Sequence, residues 1–102
     1  MRVVFTPAAG RDLVGIALRI AEHNPARAVT YVDELQSYCR DIAIFSEAGT
    51  PRPEWGDGVL ARFFRRKYAI VFRVRSGDVQ ILRIVHGARD LDAVFDDDPL
   101  PR

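Results

Sequence analysis

Basic residues crowd into one stretch of this 102-residue chain. Between Val59 and Arg89 stand Arg62, Arg65, Arg66, Lys67, Arg73, Arg75, Arg83 and Arg89 against one acid, Asp78. Clustered guanidinium and ammonium groups attract phosphate or carboxylate, so this segment suits RNA, DNA or an acidic protein surface. His86 adds a side chain type that can serve as base or acid near neutral pH. The net charge of +1 hides the asymmetry. Met1 to Gly58 holds six basic and eight acidic residues, and the end of the chain reverses sign with Asp90, Asp92, Asp96, Asp97 and Asp98.

Each of these groups also has a plain structural use. Arg65-Arg66-Lys67 suits a solvated strand end, and His86 can close a strand by hydrogen bonding at its end. His23 sits beside an interhelical turn. The lone Cys39 falls among apolar residues at helical spacing, where a buried thiol is the usual outcome. No cysteine cluster or histidine pair has metal-ligand spacing, and no glycine pattern cradles nucleotide phosphates, so neither metal nor cofactor is expected.

The elements that must position these groups are legible from punctuation and period. Arg2 to Phe5 is β-prone, and Thr6-Pro7 predicts an N-cap with proline at the first helical position. Leu13, Ile16, Ala17 and Ile20 then form one apolar stripe, with Arg11, Asp12, Arg19 and Glu22 outside it. Asn24-Pro25 repeats the start signal. A second helix carries Ala28, Tyr31, Val32, Leu35, Tyr38, Cys39, Ile42 and Phe45 on its inner face. So short a connection makes the two helices an antiparallel hairpin. Ala48 to Pro53 ends the second helix, and the stretch through Gly58 is expected to lack regular structure, with Trp55 anchoring it on the core.

Three strands follow: Val59 to Arg66, Tyr68 to Arg75, and Val79 to His86 after a Ser76-Gly77-Asp78 turn. A two-residue loop sets Ile70 against Arg83. A three-residue loop sets Ile70 against Ile84 and Phe72 against Leu82, and is preferred because it gives a dry face. That register places Arg73 and Arg83 together on the face away from the helices. The fold class is thus α+β, one domain over residues 1–102 in the order β-α-α-β-β-β, with a mainly antiparallel sheet and an acidic, flexible tail over 96–102. No apolar run approaches the roughly 20 residues of a membrane span and no signal-peptide pattern opens the chain, which points to the cytoplasm.

Three segments carry a resemblance that spans most of the chain. His23-Asn24-Pro25 leading into Tyr31-Val32-Asp33-Glu34-Leu35 is similar to the start of the second helix in the ParE/RelE toxin family. Phe45 to Pro53 resembles that family's inter-element loop, and Ile81 to Leu91, with His86-Gly87-Ala88-Arg89-Asp90, resembles its last strand and C-terminal signature. The resemblance implies a toxin neutralised by a cognate antitoxin encoded beside it, and toxin–antitoxin hetero-oligomers. It leaves three activities open. RelE-like members cut messenger RNA on the ribosome without a metal, characterised ParE-like members inhibit DNA gyrase, and a non-toxic member would only bind its antitoxin.

RNA cleavage needs a base for the 2′-hydroxyl, cations facing the phosphate, and an acid for the leaving oxygen. Arg62, Arg83, His86 and Arg89 are the candidates for that chemistry. Arg65, Arg66, Lys67, Arg73, Arg83 and Arg89 are the candidates for binding a target. The tail favours the ParE branch, because many RelE-like enzymes place a tyrosine or histidine after the signature. Here Leu91 to Phe95 and five acids follow instead.

Overall fold

In a computed structural model of the protein, which describes residues 1–45 and 49–102, both helix starts follow the local chemistry. Thr6 Oγ1 accepts from the Ala9 N–H at 3.2 Å and opens α1 (Pro7–Ala21); Asn24 Oδ1 accepts from the Arg27 N–H at 3.0 Å and opens α2 (Pro25–Ile42). Proline at the first helical position in each lacks an N–H that the helix could not have used. Thr6 Oγ1 also donates to the Leu82 carbonyl at 3.0 Å, so one cap ties α1 to the last strand. Residues 46–48, within the expected end of the second helix and the following loop, lie outside the described residues.

The strands are β1 (Val3–Phe5), β2 (Thr50–Pro51), β3 (Leu60–Phe64), β4 (Tyr68–Arg75) and β5 (Asp78–His86), in the sheet order β1-β5-β4-β3-β2. Only β1 with β5 is parallel; the other pairs are antiparallel. The stretch expected to be irregular contains β2, paired with β3, and a 3₁₀ turn over Pro53–Trp55. Pro51 fits there because β2 is an edge strand.

The β4–β5 hairpin uses both registers that the sequence allows. Arg75 faces Asp78 across a two-residue Ser76-Gly77 turn, and Phe72 faces Ile81; beyond an irregularity at Val71/Phe72, Val71 faces Arg83 and Ile70 faces Ile84. Positive φ at Ser76 (54°) and Gly77 (78°) is the signature of the tight hairpin turn. The unpaired Leu82 corrects the expected Phe72–Leu82 pairing. As a bulge, it turns its own side chain to the opposite face of the sheet from Ile81.

Two cores result. Leu13, Ile16, Leu35, Cys39 and Ile42 from the helices bury against Ile70, Phe72, Ile81 and Ile84. Each large apolar side chain buried this way stabilises the fold by about 1.5–3 kcal/mol. Phe45, expected to end the inner stripe of α2, is 60% exposed because the helix has already closed at Ile42. On the other face Trp55, Val59, Ala61, Val71, Leu82 and Val85 pack against Val94 and Phe95.

That second cluster needs a third helix, α3 (Leu91–Asp97), capped by Asp90, whose carboxylate accepts from the Ala93 N–H at 3.2 Å. Where a tail was expected from residue 96, the backbone is helical to Asp97, and Leu100 packs against the second core. The acids of this segment are exposed, whereas Val94 and Phe95 are buried and Leu91 and Leu100 half-buried. No described helix is long and apolar enough to cross a membrane.

A basic end as the candidate functional site

The β3–β4 hairpin tip presents Arg65, Arg66 and Lys67, all exposed. Arg65 and Arg66 both have positive φ, 52° and 56°, where a side chain with a Cβ costs about 1–2 kcal/mol per residue. The turn closes through the Lys67 N–H to the Phe64 carbonyl at 2.9 Å, and the Gly87 N–H reaches the Lys67 carbonyl at 2.7 Å. A Cβ at Gly87 would stand 2.8 Å from Phe63 Cε1, so any larger residue there would push the half-exposed Phe63 ring aside. The tip is therefore braced against the end of β5.

Arg65 is steered from below. It lies 3.2 Å from Glu34 of α2, which also holds Arg27 at 2.9 Å, and its guanidinium stands 5.1 Å from the Phe64 ring centroid. Arg66 and Lys67 have no acidic partner among the described residues; Lys67 Nζ lies 5.8 Å from the Tyr68 ring. Tyr68 and His86 face each other across β4 and β5, edge to face at 5.4 Å. His86 Nδ1 accepts from the Ala88 N–H at 3.1 Å, so the strand-closing use of this residue is the one its geometry displays.

Beside the tip, α1 and the end of β5 enclose a concavity of about 350 Å³ lined by Arg11, Arg19, Arg83, His86 and Arg89. Arg11 and Arg19 were not among the candidates read from the sequence, which left them as solvated positions on α1. Their signal was present: residues 11, 15 and 19 repeat every four positions and share one helix face, and Gly15 between them leaves open space.

Arg83 is not free in this concavity. Its Nε and Nη2 donate to the two Asp12 carboxylate oxygens at 2.8 and 3.2 Å, and Nη1 reaches Asp98 at 3.2 Å. The hydrogen bond to Asp12 raises the Arg83 pKa further above neutrality, against the opposing effect of burial. Arg62 lies elsewhere, its guanidinium 5.1 Å from the Tyr38 ring on the helix side of the sheet. Arg73 occupies the opposite face, 4% exposed, so it corrects the expectation of a joint Arg73–Arg83 surface. The bulge separates the two along the strands, and neither projects freely into solvent.

The four cleavage candidates are thus only partly assembled: His86, Arg89 and Arg83 line one concavity, with Arg83 neutralised, while Arg62 stands apart. Of the target-binding candidates, Arg65, Arg66, Lys67 and Arg89 share the basic end; Arg73 and Arg83 are drawn into the fold. Cys39 is buried, and burial pushes its thiol pKa up to about 12.

An N-terminal strand, a helix hairpin and an antiparallel meander make up the α+β fold of the toxin class that the sequence resembles. Within it, the chain belongs to the family described as ParE toxin of the type II toxin–antitoxin system parDE, whose model matches residues 3–91. A solved structure titled "Chromosomal ParDE TA system from P. aeruginosa" is similar, with 26% identity and a TM-score of 0.73. The match covers 84% of this chain and 95% of that one. No curated protein matches the chain.

Proposed function

We propose that this ParE-like toxin component acts as a protein inhibitor of DNA gyrase, is held inactive by a cognate antitoxin, and meets its target through the basic end. The dispersal of the cleavage candidates is the observation that carries this reading over ribosome-dependent cleavage of messenger RNA. A metal-free nuclease needs preorganised cations at the phosphate. Here the most central of them, Arg83, is occupied by Asp12 and Asp98. The cations left available, Arg65, Arg66, Lys67 and Arg89, suit attraction and docking.

An antitoxin is supported by the outer side of α1, where Val14 and Leu18, one turn apart, are 59% and 64% exposed. An amphipathic segment of a partner would cover them. The experiment is a pair of assays on purified protein: gyrase supercoiling, and cleavage of messenger RNA on ribosomes. Loss of supercoiling without cleavage is the expected result. RNA cut at defined positions, and left uncut by the His86→Ala variant, would replace this reading with the nuclease one.

A further inference from the structure

The sheet face turned away from the helix hairpin carries a charge that nothing around it answers. Arg73 on β4 is 4% exposed and has no carboxylate within ion-pair distance among the described residues. Its Nη2 donates to the Pro101 carbonyl, while its Nε is buried without a partner. Burial, and then the charge of Arg75, lower its pKa. Arg75, two residues along the same strand and exposed, donates to the backbone oxygen of Arg102 at 2.8 Å. A buried cation without an anion is among the least favourable arrangements in a protein interior, which is why buried guanidinium groups are ordinarily paired.

Arg73 lines a cavity of about 820 Å³, walled in part by Trp55, Phe95 and Leu100. The segment that supplies the two backbone oxygens, Pro99 to Arg102, has neither helical nor strand pairing, and its two prolines have no N–H to donate. For Arg73 the Pro101 carbonyl is a weak substitute for a carboxylate, because hydrogen bonds to an ionised acceptor are roughly twice as strong as neutral ones.

We propose that this cavity is a carboxylate pocket for a partner protein. An extended segment presenting one acidic residue between apolar ones enters it, pairs its carboxylate with Arg73 and Arg75, packs its apolar neighbours on Trp55 and Phe95, and displaces Pro99–Arg102. The rim selects a single carboxylate over a polyanion. Asp57, Asp92 and Asp96 line the same cavity and are exposed, so they oppose a phosphate backbone along its length. A lone carboxylate inserted to the desolvated floor meets two guanidinium groups instead. The proposal rests on the antitoxin reading only for who the partner is.

Trp55 is the only tryptophan of the chain and stands in the pocket wall, with the Arg52 guanidinium 3.7 Å from its ring centroid, so its emission reports occupancy. The intact protein is titrated with acetyl-Ala-Leu-Glu-Leu-Ala-amide and with the same peptide carrying glutamine. The expected result is a saturable signal with the glutamate peptide and at least about tenfold weaker binding of the glutamine one, the tenfold corresponding to about 1.4 kcal/mol. Arg73→Met abolishes that preference, and Leu100→Ser, which loosens the displaceable segment, tightens the glutamate peptide. Circular dichroism establishes that each variant is folded; should Arg73→Met fail to fold, Arg75→Met asks the same question at an exposed position. Equal affinity for the two peptides overturns the proposal, as does absence of binding to wild type and Leu100→Ser alike. Tighter competition by a short DNA oligonucleotide than by the glutamate peptide also overturns it. None of these readouts involves gyrase or toxicity, so the pocket and the function stand or fall separately.

Discussion

Asp12 Oδ2 lies 2.8 Å from Arg83 Nε and 2.8 Å from the backbone nitrogen of Ile84, so one carboxylate on α1 satisfies a guanidinium and an open strand edge together. Both side chains are largely shielded, 17% exposed for Asp12 and 14% for Arg83. Asp12→Ala leaves the Ile84 N–H unpaired and the shielded Arg83 with only the exposed Asp98, and the expected loss is about 2–3 kcal/mol. The midpoint of urea unfolding measures it. A change below about 0.5 kcal/mol, the range of ordinary surface substitutions, would show that the pair does not organise this region.

Phe95 is 5% exposed and tilts against Trp55 at 4.8 Å, while Trp55 Nε1 donates to Asp92 at 2.6 Å. Phe95→Ala should cost about 3 kcal/mol, near the lower end for removing a buried aromatic ring. Thermal unfolding is the check. A near-neutral effect would mean that α3 contributes nothing to the second core.

The strained tip gives a prediction with two signs. Arg66→Gly relieves the positive φ, so stability should rise by about 1 kcal/mol, while inhibition of gyrase weakens because a cation is lost from the basic end. Chemical denaturation and the supercoiling assay are read on the same preparation. Gain of stability with full inhibition would remove Arg66 from the contact surface.

Cys39 should resist thiol reagents at neutral pH and react only on unfolding, since its pKa is pushed up to about 12 by burial. The folded pKa lies above the unfolded one, near about 8.5, so the protonated thiol stabilises the fold below that value. That contribution is lost as the pH climbs toward 12, with a slope near about 1.4 kcal/mol per pH unit from this group. Comparing alkaline unfolding of wild type and Cys39→Ala isolates it. Identical slopes above pH 9 would refute the assignment.

What the sequence disclosed was what neighbours in the chain decide. Thr6-Pro7 and Asn24-Pro25 start helices through contacts three residues away, and the inner stripe of α2 holds through Ile42. The hairpin register resisted because it depends on distant residues: the bulge at Leu82 lets Ile81 and Ile84 both serve the helix-side core, while Thr6 and Asp12 bind the edge beside it. In α3, Leu91, Val94 and Phe95 have helical spacing beneath a run of aspartates. Charge density hid a short amphipathic helix. The basic segment marked most of the candidate site, but linear clustering could not reveal that β4 and β5 turn Arg73 and Arg83 inward, nor that α1 contributes Arg11 and Arg19.

The parallel pairing of Val3 with Val79 joins residues 76 positions apart, and β5 lies between β1 and β4. At synthesis rates of about 5–20 residues per second, the N-terminal strand waits roughly 4–15 seconds for its partner to be made. Until then the inner faces of α1 and α2 lack the sheet that covers them, and the basic end has no frame to hold its spacing. The spacing of the basic end is therefore set late, only once β5 has been made and docked between β1 and β4.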